Sequence, residues 1–205
     1  MLDRFTTKII RFPLNYAAKK IEKRGITADQ ITLFGFFCGL LSLPALAFQA
    51  YYLALFFIIL NRVFDGIDGA IARIQGITDS GGFLDITLDF IFYALVPFGF
   101  VLANPEMNAI AGAFLIFSFI GTGSSFLAFA VMAGKRKIEN VKSPTHSKKS
   151  LYYIGGLTEG TETILCFILL CLFPQYFSII AYIFSFLCWL TTVTRIWTGY
   201  LTLKQ

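Results

Sequence analysis

The sequence predicts an all-α integral membrane protein with six transmembrane helices and an N-terminal amphipathic helix at the membrane surface. Its 205 residues are 57% apolar and only 14% charged, with a mean hydropathy of +0.72, whereas soluble domains are about a quarter charged. Apolar runs of about 20 residues, the length that crosses a bilayer, recur along the chain. Most of the basic residues lie in residues 1–24 and 135–149.

The apolar runs define six predicted spans separated by short connections. They cover residues 30–50, 51–73, 82–104, 107–133, 152–174 and 177–202. Because no soluble domain fits between them, residues 25–205 are predicted to form one membrane domain.

Residues 1–24 are predicted to be an amphipathic segment on the cytoplasmic face. Pro13 is expected to divide this segment into one or two short helical pieces, and Gly25 to end it. The charges spread through the segment argue against a cleavable signal peptide.

Local features predict how the spans begin and pack. Thr27 and Gln30 have the spacing of a capping box ahead of the first span, and Pro44 is expected to kink that span. The small residues of GTGSS at 121–125 suit close contact between helices. The four cysteines lie in apolar spans and form no CxxC pair, so reduced thiols are expected.

The basic residues predict the orientation of the chain. With both termini in the cytoplasm, all 17 Lys and Arg residues fall on the cytoplasmic half, and the opposite side keeps only Glu106. This distribution follows the positive-inside rule. The net charge of +5 is then explained by topology and by contact with anionic lipid headgroups, and it does not indicate nucleic-acid binding.

The segment FDGIDGAIARIQGITDSGGFLDITLDF holds five aspartates between two apolar runs. A helical rise of about 1.5 Å per residue places Asp65 level with Asp89, and Asp68 level with Asp85, across two antiparallel helices. The two aspartates of each helix also share one helix face, because Asp65 and Asp68 are spaced i,i+3 and Asp85 and Asp89 are spaced i,i+4. Four carboxylates should therefore converge just below the cytoplasmic surface, while Asp79 is expected to be solvated in the turn.

Carboxylates within membrane spans are costly unless they face a cavity or a partner. Arg62 and Arg73 are too few to compensate four of them, so the pattern favours a paired Mg²⁺ or Mn²⁺ site. Glycines beside the carboxylates, such as Gly66 and Gly69, would let metal-bound phosphate approach closely. The alternative is that the glycines serve helix packing and the aspartates form salt bridges.

DGIDGAIAR followed by GGFLDITLD resembles the signature of the CDP-alcohol phosphotransferase family, D-x2-D-G-x2-A-R-x8-G-x3-D-x3-D. One residue is missing between Arg73 and Gly81, but Thr78 keeps its place before Asp85, where the family often has Ser or Thr. The six spans, the N-terminal segment and ITADQIT also fit, and GLTEGTETI is typical of a small bacterial inner-membrane subgroup. The matching fixed positions are Asp65, Asp68, Gly69, Ala72, Arg73, Gly81, Asp85 and Asp89.

Members of this family transfer a phosphatidyl group from a CDP-linked donor, usually CDP-diacylglycerol, to an alcohol and release CMP. The resemblance implies that Asp65, Asp68, Asp85 and Asp89 hold two Mg²⁺ or Mn²⁺ ions, with Asp89 also acting as the base. It further implies a homodimer in phospholipid biosynthesis, in the bacterial inner membrane, with its active site facing the cytoplasm.

The resemblance also implies residues that bind the donor. Gly69, Arg73 and Thr78 would contact its CDP part. The segment DQIT, comprising Asp29, Gln30, Ile31 and Thr32, matches a donor-binding segment, although it fits a simple helix cap equally well.

The acceptor alcohol stays open at this stage. Arg195 aligns with a basic residue that some relatives use to hold an acceptor's phosphate, and Lys135 could assist, although positive-inside topology explains Lys135 equally well. Glu159 and Glu162 would instead favour a cationic or polyhydroxyl acceptor. Their simpler interpretation is that acids suit the N-terminal end of the fifth helix.

Two other classes of protein remain as alternatives. A transporter or channel would need polar residues across the whole membrane depth, whereas here they cluster in one half. A non-catalytic CDP-lipid-binding protein would need the metal ligands but no base, so the intact Asp89 favours an enzyme.

Overall fold

A computed structural model describes residues 3–136 and 156–204, with side chains from residue 13 onward, and these residues form helices and short connections. The α-helices in chain order are α1 (Asp3–Glu22), α2 (Ala28–Leu40), α3 (Ser42–Ala47), α4 (Tyr51–Gln75), α5 (Asp79–Ala103), α6 (Pro105–Lys135), α7 (Gly160–Leu172) and α8 (Phe177–Lys204). A short 3₁₀-helix, Pro174–Tyr176, precedes α8.

Four helical stretches have the length and apolar composition of membrane spans, namely residues 28–47, 79–103, 105–135 and 174–204. They correspond to the predicted first, third, fourth and sixth spans. Helix α4 has 25 residues but carries Arg62, Asp65, Asp68 and Arg73, and α7 has only 13 residues. The crossing of a membrane by α4 and α7 stays a prediction.

Helix α1 corrects the prediction of a break at Pro13, because the helix continues through this residue. A proline inside a helix removes one backbone hydrogen bond, and packing compensates for it. Leu14 lies so close to Gly66 of α4 that a Cβ added there would come within 2.7 Å of its Cδ1 atom. Gly25 follows the helix with φ of +76°, and its N–H donates to the Glu22 carbonyl at 2.8 Å.

The first span is broken at Leu41, just before the predicted kink at Pro44. Pro44 has no N–H to continue the hydrogen-bond ladder of α2, but it is tolerated in the first turn of a new helix. The Ser42 hydroxyl donates to the Gly39 carbonyl at 2.6 Å and stabilises the break. The predicted capping box of Thr27 and Gln30 is confirmed.

The fifth helix begins later than predicted. The predicted start at residue 152 lies outside the described residues, and residues 156–159 are not helical. The apolar and glycine residues of YYIGG give no sequence signal that distinguishes coil from helix. The start of α7 at Gly160 is instead defined by its capping residues, Glu159 and Glu162.

Two apolar clusters hold the helices together. The larger one is aromatic and joins α3–α8 around Phe92, Phe100, Phe167 and Phe177. The smaller one joins α1, α2 and α4, and its members are Ala18, Ile31, Ile67, Ala70 and Ile71. This smaller cluster packs α1 and α2 against the end of α4 that carries the aspartates.

A tight turn connects α4 to α5 and brings their aspartates together. Gly76 has φ of +105°, a conformation that glycine adopts without strain. The Thr78 hydroxyl accepts a hydrogen bond from the Gly81 N–H at 3.1 Å and caps α5. Asp79 is exposed in the first turn of α5, which confirms its expected solvation although it lies inside the helix rather than before it.

Candidate active site

A small cavity lies between α2 and the α4–α5 hairpin, and all four predicted metal ligands line it. Its residues are Thr32, Gly35, Phe36, Asn61, Arg62, Asp65, Asp68, Asp85, Leu88 and Asp89.

Three of the carboxylates form a compact group, which we call the three-carboxylate group. Asp65, Asp68 and Asp85 each offer an oxygen, and these oxygens all lie within 4.8 Å of one another. The Asp68 side chain is buried, and among the described residues its Oδ2 atom has no hydrogen-bond partner. Like charges held this close favour a cation between them, and oxygen ligands at this spacing suit a hard divalent ion. These residues therefore fit a metal ion.

Asp89 lines the same cavity but is not a member of the three-carboxylate group. Its Oδ1 atom accepts a hydrogen bond of 2.6 Å from Nη2 of Arg62. Nη1 of Arg62 also lies 3.6 Å from Oδ2 of Asp65. The convergence predicted for four carboxylates is thus divided into three grouped carboxylates and one held by an arginine.

Arg62 is a further residue of the cavity, which the sequence indicated only as a counter-charge too weak for four carboxylates. Its signal in the sequence was the i,i+3 spacing from Asp65, which places both side chains on one helix face. Asn61 also lines the cavity, and it gave no signal because a single amide inside an apolar run has no defined partner in sequence.

The predicted donor segment is tied to the end of α4. Gln75 accepts a hydrogen bond from the Ala28 N–H at 3.3 Å and donates to the Ile26 carbonyl at 3.0 Å. Thr32 reaches the cavity wall, whereas Ile31 belongs to the smaller apolar cluster. Gln30 serves in the capping box, which confirms the helix-cap interpretation of DQIT. Its role in donor binding stays a prediction.

The other predicted donor residues surround the α4–α5 turn. A Cβ added at Gly81 would lie 2.9 Å from Oδ1 of Asp29 and 3.0 Å from Oγ1 of Thr78, so this glycine lets both polar groups approach. A Cβ added at Gly69 would lie 3.5 Å from Nη1 of Arg73, which places that guanidinium over the glycine. The structure therefore groups these side chains at the turn, next to the cavity.

The predicted acceptor residues Arg195 and Lys135 lie away from the cavity wall. Arg195 is buried between α6 and α8, where Nη1 donates to the Thr122 carbonyl at 3.1 Å and the guanidinium lies 5.8 Å from the Phe126 ring. Lys135 is exposed in the last turn of α6.

Glu159 and Glu162 form a reciprocal capping box at the start of α7. The Glu159 N–H donates to Oε2 of Glu162 at 3.2 Å, and the Gly156 N–H donates to Oε1 of Glu159 at 3.3 Å. The helix-end interpretation of both acids is confirmed, and a role toward the acceptor stays a prediction. This helix end also approaches the site, because a Cβ added at Gly160 would lie 3.5 Å from the Tyr93 hydroxyl.

Apolar helices with carboxylates gathered at the end of one hairpin are the arrangement expected of a membrane-embedded, metal-dependent enzyme. The sequence model of the CDP-alcohol phosphatidyltransferase family matches residues 25–197. The chain therefore belongs to this family, and the enzyme class predicted from the signature is confirmed.

Two relatives match nearly the whole chain. Inner membrane protein YnjF of Escherichia coli (strain K12) is 59% identical over 205 residues, which cover 100% of this chain and 98% of YnjF. Archaetidylinositol phosphate synthase of Pyrococcus horikoshii is 28% identical over 198 residues, covering 96% of this chain and 95% of that protein. The predicted resemblance to a bacterial inner-membrane subgroup is thus confirmed.

Two solved structures share the fold. Both are crystal structures of the phosphatidylinositol phosphate synthase of Mycobacterium tuberculosis, one in complex with manganese and citrate and one with CDP-DAG bound. Each is 19% identical and superposes with a TM-score of 0.65 over 91% of this chain, covering 88% and 93% of the respective solved chains.

Proposed function

We propose that this protein transfers the phosphatidyl group of CDP-diacylglycerol to the hydroxyl of a small alcohol, releasing CMP, in phospholipid biosynthesis. The observation that carries the proposal is the three-carboxylate group, in which Asp68 presents a buried oxygen without a hydrogen-bond partner in the described part of the chain. Family membership supports the proposal, as do the manganese and CDP-DAG in the structures of the mycobacterial synthase.

Asp65, Asp68 and Asp85 would hold two Mg²⁺ or Mn²⁺ ions, and Asp89 is proposed as a further ligand and as the base. When bound, the ions would neutralise charge on the donor diphosphate and on the leaving CMP. Arg73, with its planar fork of donors, suits a phosphate of the donor. Gly69, Thr78 and the DQIT segment would complete the donor contacts at the turn.

The bonds exchanged define what the residues must do. The acceptor oxygen attacks the phosphorus that carries diacylglycerol, while the Asp89 carboxylate takes the hydroxyl proton. The bond from that phosphorus to the oxygen bridging it to CMP breaks, and CMP leaves with the bonding electrons. Asp89 must therefore lie beside the acceptor, and the turn residues must hold the nucleotide in line.

The membrane arrangement is proposed from the distribution of charge. Six spans, with both termini and the active site on the cytoplasmic side, place all Lys and Arg residues on that side. The donor's acyl chains would then stay in the bilayer while its nucleotide reaches the hairpin turn. We propose a location in the bacterial inner membrane, like that named for YnjF, and a homodimer as the family implies.

The acceptor is proposed to be a small polar alcohol. The buried Arg195 would suit an acceptor that carries a phosphate. Lys135, which is predicted to lie on the same side of the membrane, could assist it. The acids Glu159 and Glu162 would suit a cationic or polyhydroxyl acceptor instead. A panel of acceptors separates these options.

The test is a transfer assay with purified protein, labelled CDP-diacylglycerol, and Mg²⁺ or Mn²⁺. The acceptors are glycerol 3-phosphate, inositol, serine and choline. We expect metal-dependent CMP release with at least one acceptor, and Asp89→Asn should lower it by about 10²–10⁴-fold because the base is lost. Asp79→Asn, which changes an exposed aspartate of the same hairpin, is the matched control and should keep wild-type activity.

The proposed function fails if folded wild-type protein releases no CMP with any acceptor. Metal-dependent binding of CDP-diacylglycerol without release would then favour the non-catalytic CDP-lipid-binding class. Metal-dependent passage of an ion across reconstituted vesicles would favour the transporter class.

A further inference from the structure

The side chain of Gln75 joins the end of α4 to the segment that leads into α2. Its Oε1 atom accepts a hydrogen bond from the Ala28 N–H at 3.3 Å, and its Nε2 atom donates to the Ile26 carbonyl at 3.0 Å. Ala28 is the first residue of α2, so its N–H is one of those that an α-helix leaves without an intrahelical acceptor. The two ends of one amide thus meet a complementary pair of backbone groups, a contact that we call the Gln75 bridge.

Apolar packing and the Gln75 bridge act on the same segment. Ile26 and Ala28 pack against the smaller apolar cluster, whose members on α4 are Ile67, Ala70 and Ile71. This packing keeps the segment close to α4, but apolar contacts have no preferred direction. Hydrogen bonds do have preferred angles, so the bridge adds a directional restraint on how the start of α2 lies against the end of α4.

The Gln75 bridge lies where the predicted donor residues come together. Arg73 precedes Gln75 by two residues on α4, and Asp29 follows Ala28 directly on α2. On the side of α5, a Cβ added at Gly81 would lie 2.9 Å from Oδ1 of Asp29. The start of α2 is therefore held between the end of α4 and the start of α5, and the bridge links it to α4.

We propose that Gln75 is a positioning residue for the donor, which holds the DQIT segment against the α4–α5 turn so that both sides of the nucleotide site are in place before CDP-diacylglycerol binds. This inference rests on the proposed function and concerns the donor alone. A site that is already held in its binding geometry avoids the cost of being ordered on binding. The bridge should therefore raise the affinity for the donor and leave the transfer step nearly unchanged.

The exposure of Gln75 separates this role from a contribution to stability. Gln75 is exposed at the end of α4, so water can replace both hydrogen bonds when the amide is removed. Gln75→Met keeps nearly the same side-chain length and has no amide. It should therefore shift the midpoint of thermal unfolding by less than about 3 °C.

A second glutamine provides a matched control. Nε2 of Gln49 donates to the Ala103 carbonyl at 2.9 Å, so it also ties a side-chain amide to the backbone of another element. Gln49 lies just before α4, whereas Gln75 is its last residue, and the 25 residues of this helix span about 37 Å. Gln49→Met therefore makes the same chemical change far from the donor residues.

Equilibrium binding of labelled CDP in the presence of Mg²⁺ tests the proposal without turnover. Gln75→Met should raise the CDP Kd by about 10-fold, because binding must then order the start of α2, whereas Gln49→Met should leave it unchanged. In the transfer assay, Gln75→Met should raise KM for CDP-diacylglycerol by about 10-fold while kcat stays within about 3-fold. An unchanged CDP Kd, or a fall in kcat at constant KM, would overturn the proposal.

A double-mutant cycle separates positioning from a direct contact between Gln75 and the donor. Ala28→Pro removes the N–H that Gln75 binds, and proline suits the first position of a helix. Thr27 has the extended backbone, with φ of −87° and ψ of 159°, that is favoured before a proline. Ala28→Pro alone should raise the CDP Kd by about 3-fold, and Gln75→Met should then add about 3-fold instead of 10-fold. An undiminished 10-fold effect would show that Gln75 acts on the donor without the bridge and would overturn the proposal.

Thermal unfolding shows which variants are folded. If Gln75→Met does not fold, Gln75→Asn takes its place in the cycle, because its amide is one methylene too short to reach both backbone groups. An inactive wild type that still binds CDP would sink the proposed function while the cycle still tests Gln75. An active wild type whose CDP affinity does not respond to Gln75→Met sinks only the role of Gln75, and a wild type that binds no CDP sinks both.

Discussion

The α4–α5 hairpin and the α7–α8 end of the molecule both carry charged side chains among apolar helices, but they use them differently. In the hairpin, three carboxylates crowd within 4.8 Å, and Asp68 has a buried oxygen without a hydrogen-bond partner in the described residues. At the other end, Arg195 donates to the Thr122 carbonyl, and Glu159 and Glu162 cap a helix. The three grouped carboxylates suit a cation as a shared ligand, whereas Arg195, Glu159 and Glu162 each make a hydrogen bond to the backbone of the chain.

This difference explains why the reaction is easier to infer than the acceptor. A compact group of three carboxylates at the end of a helical hairpin has few chemical uses, and a metal-assisted transfer to or from phosphate is the foremost of them. A charged residue that caps a helix or bonds a carbonyl has a structural use already, so its residue type alone carries little information about a substrate.

The largest effect in the hairpin is expected from Asp68→Asn. Removing the buried ligand should lower CMP release by about 10³-fold, since metal stabilisation of the transferring phosphate is worth several kcal/mol. At a Mn²⁺ concentration of 100 times Kd, wild type should gain about 2.7 kcal/mol of stability from binding. The variant should lose that gain, as measured by thermal unfolding with and without Mn²⁺.

The same substitution should leave the metal-free protein at least as stable as wild type, because an amide replaces a buried, crowded charge. Asp79→Asn, at an exposed position of the same hairpin, should respond to Mn²⁺ as wild type does. If Asp68→Asn were stabilised by Mn²⁺ as much as wild type, the three-carboxylate group would not be the metal site.

An intermediate effect is expected at the turn, from Arg73→Gln. Arg73 lies over Gly69 beside the cavity, where it is proposed to bind a phosphate of the donor. Loss of a charged hydrogen bond costs about 1.5–3 kcal/mol, so KM for CDP-diacylglycerol should rise by about 10–100-fold. The Mn²⁺ Kd measured without donor should stay unchanged.

Arg73→Lys is the matched control for charge, because it keeps the cation without the planar fork. It should recover part of the donor affinity. A kcat that fell while KM stayed constant would contradict the assignment of Arg73 to donor binding.

The sequence predicted the helices well wherever composition alone defines them. Long apolar runs identify α5, α6 and α8 because nothing else has that length and hydropathy. It could not place the start of α7, where capping by Glu159 decides the boundary, nor the continuity of α1 through Pro13, which depends on the contact of Leu14 with Gly66. A tertiary contact overrode the local signal in α1, whereas at α7 a local cap set the boundary inside an apolar run.

The site was predictable to the level of the carboxylates but not of their partners. Helical spacing brought Asp65, Asp68 and Asp85 together correctly, since one hairpin determines their positions. The separation of Asp89 could not be foreseen, because it depends on Arg62, whose guanidinium is oriented by Asn61 and two rings from other parts of the chain. The number of arginines near the carboxylates therefore did not indicate that Arg62 contacts Asp89.

The smallest effect is expected at the α7–α8 end, from Glu162. Glutamine also serves in a capping box, so Glu162→Gln removes the charge but keeps the hydrogen bond to the Glu159 N–H, whereas Glu162→Ala removes both. If this acid serves the helix alone, Glu162→Gln should leave acceptor preference unchanged and cost only the interaction of its charge with the helix dipole, about 0.3 kcal/mol. Glu162→Ala should lower the free energy of unfolding by about 1 kcal/mol. A shift in preference among glycerol 3-phosphate, inositol, serine and choline in Glu162→Gln would instead show that the charge reaches the acceptor, and the contrast between the two ends of the molecule would no longer hold.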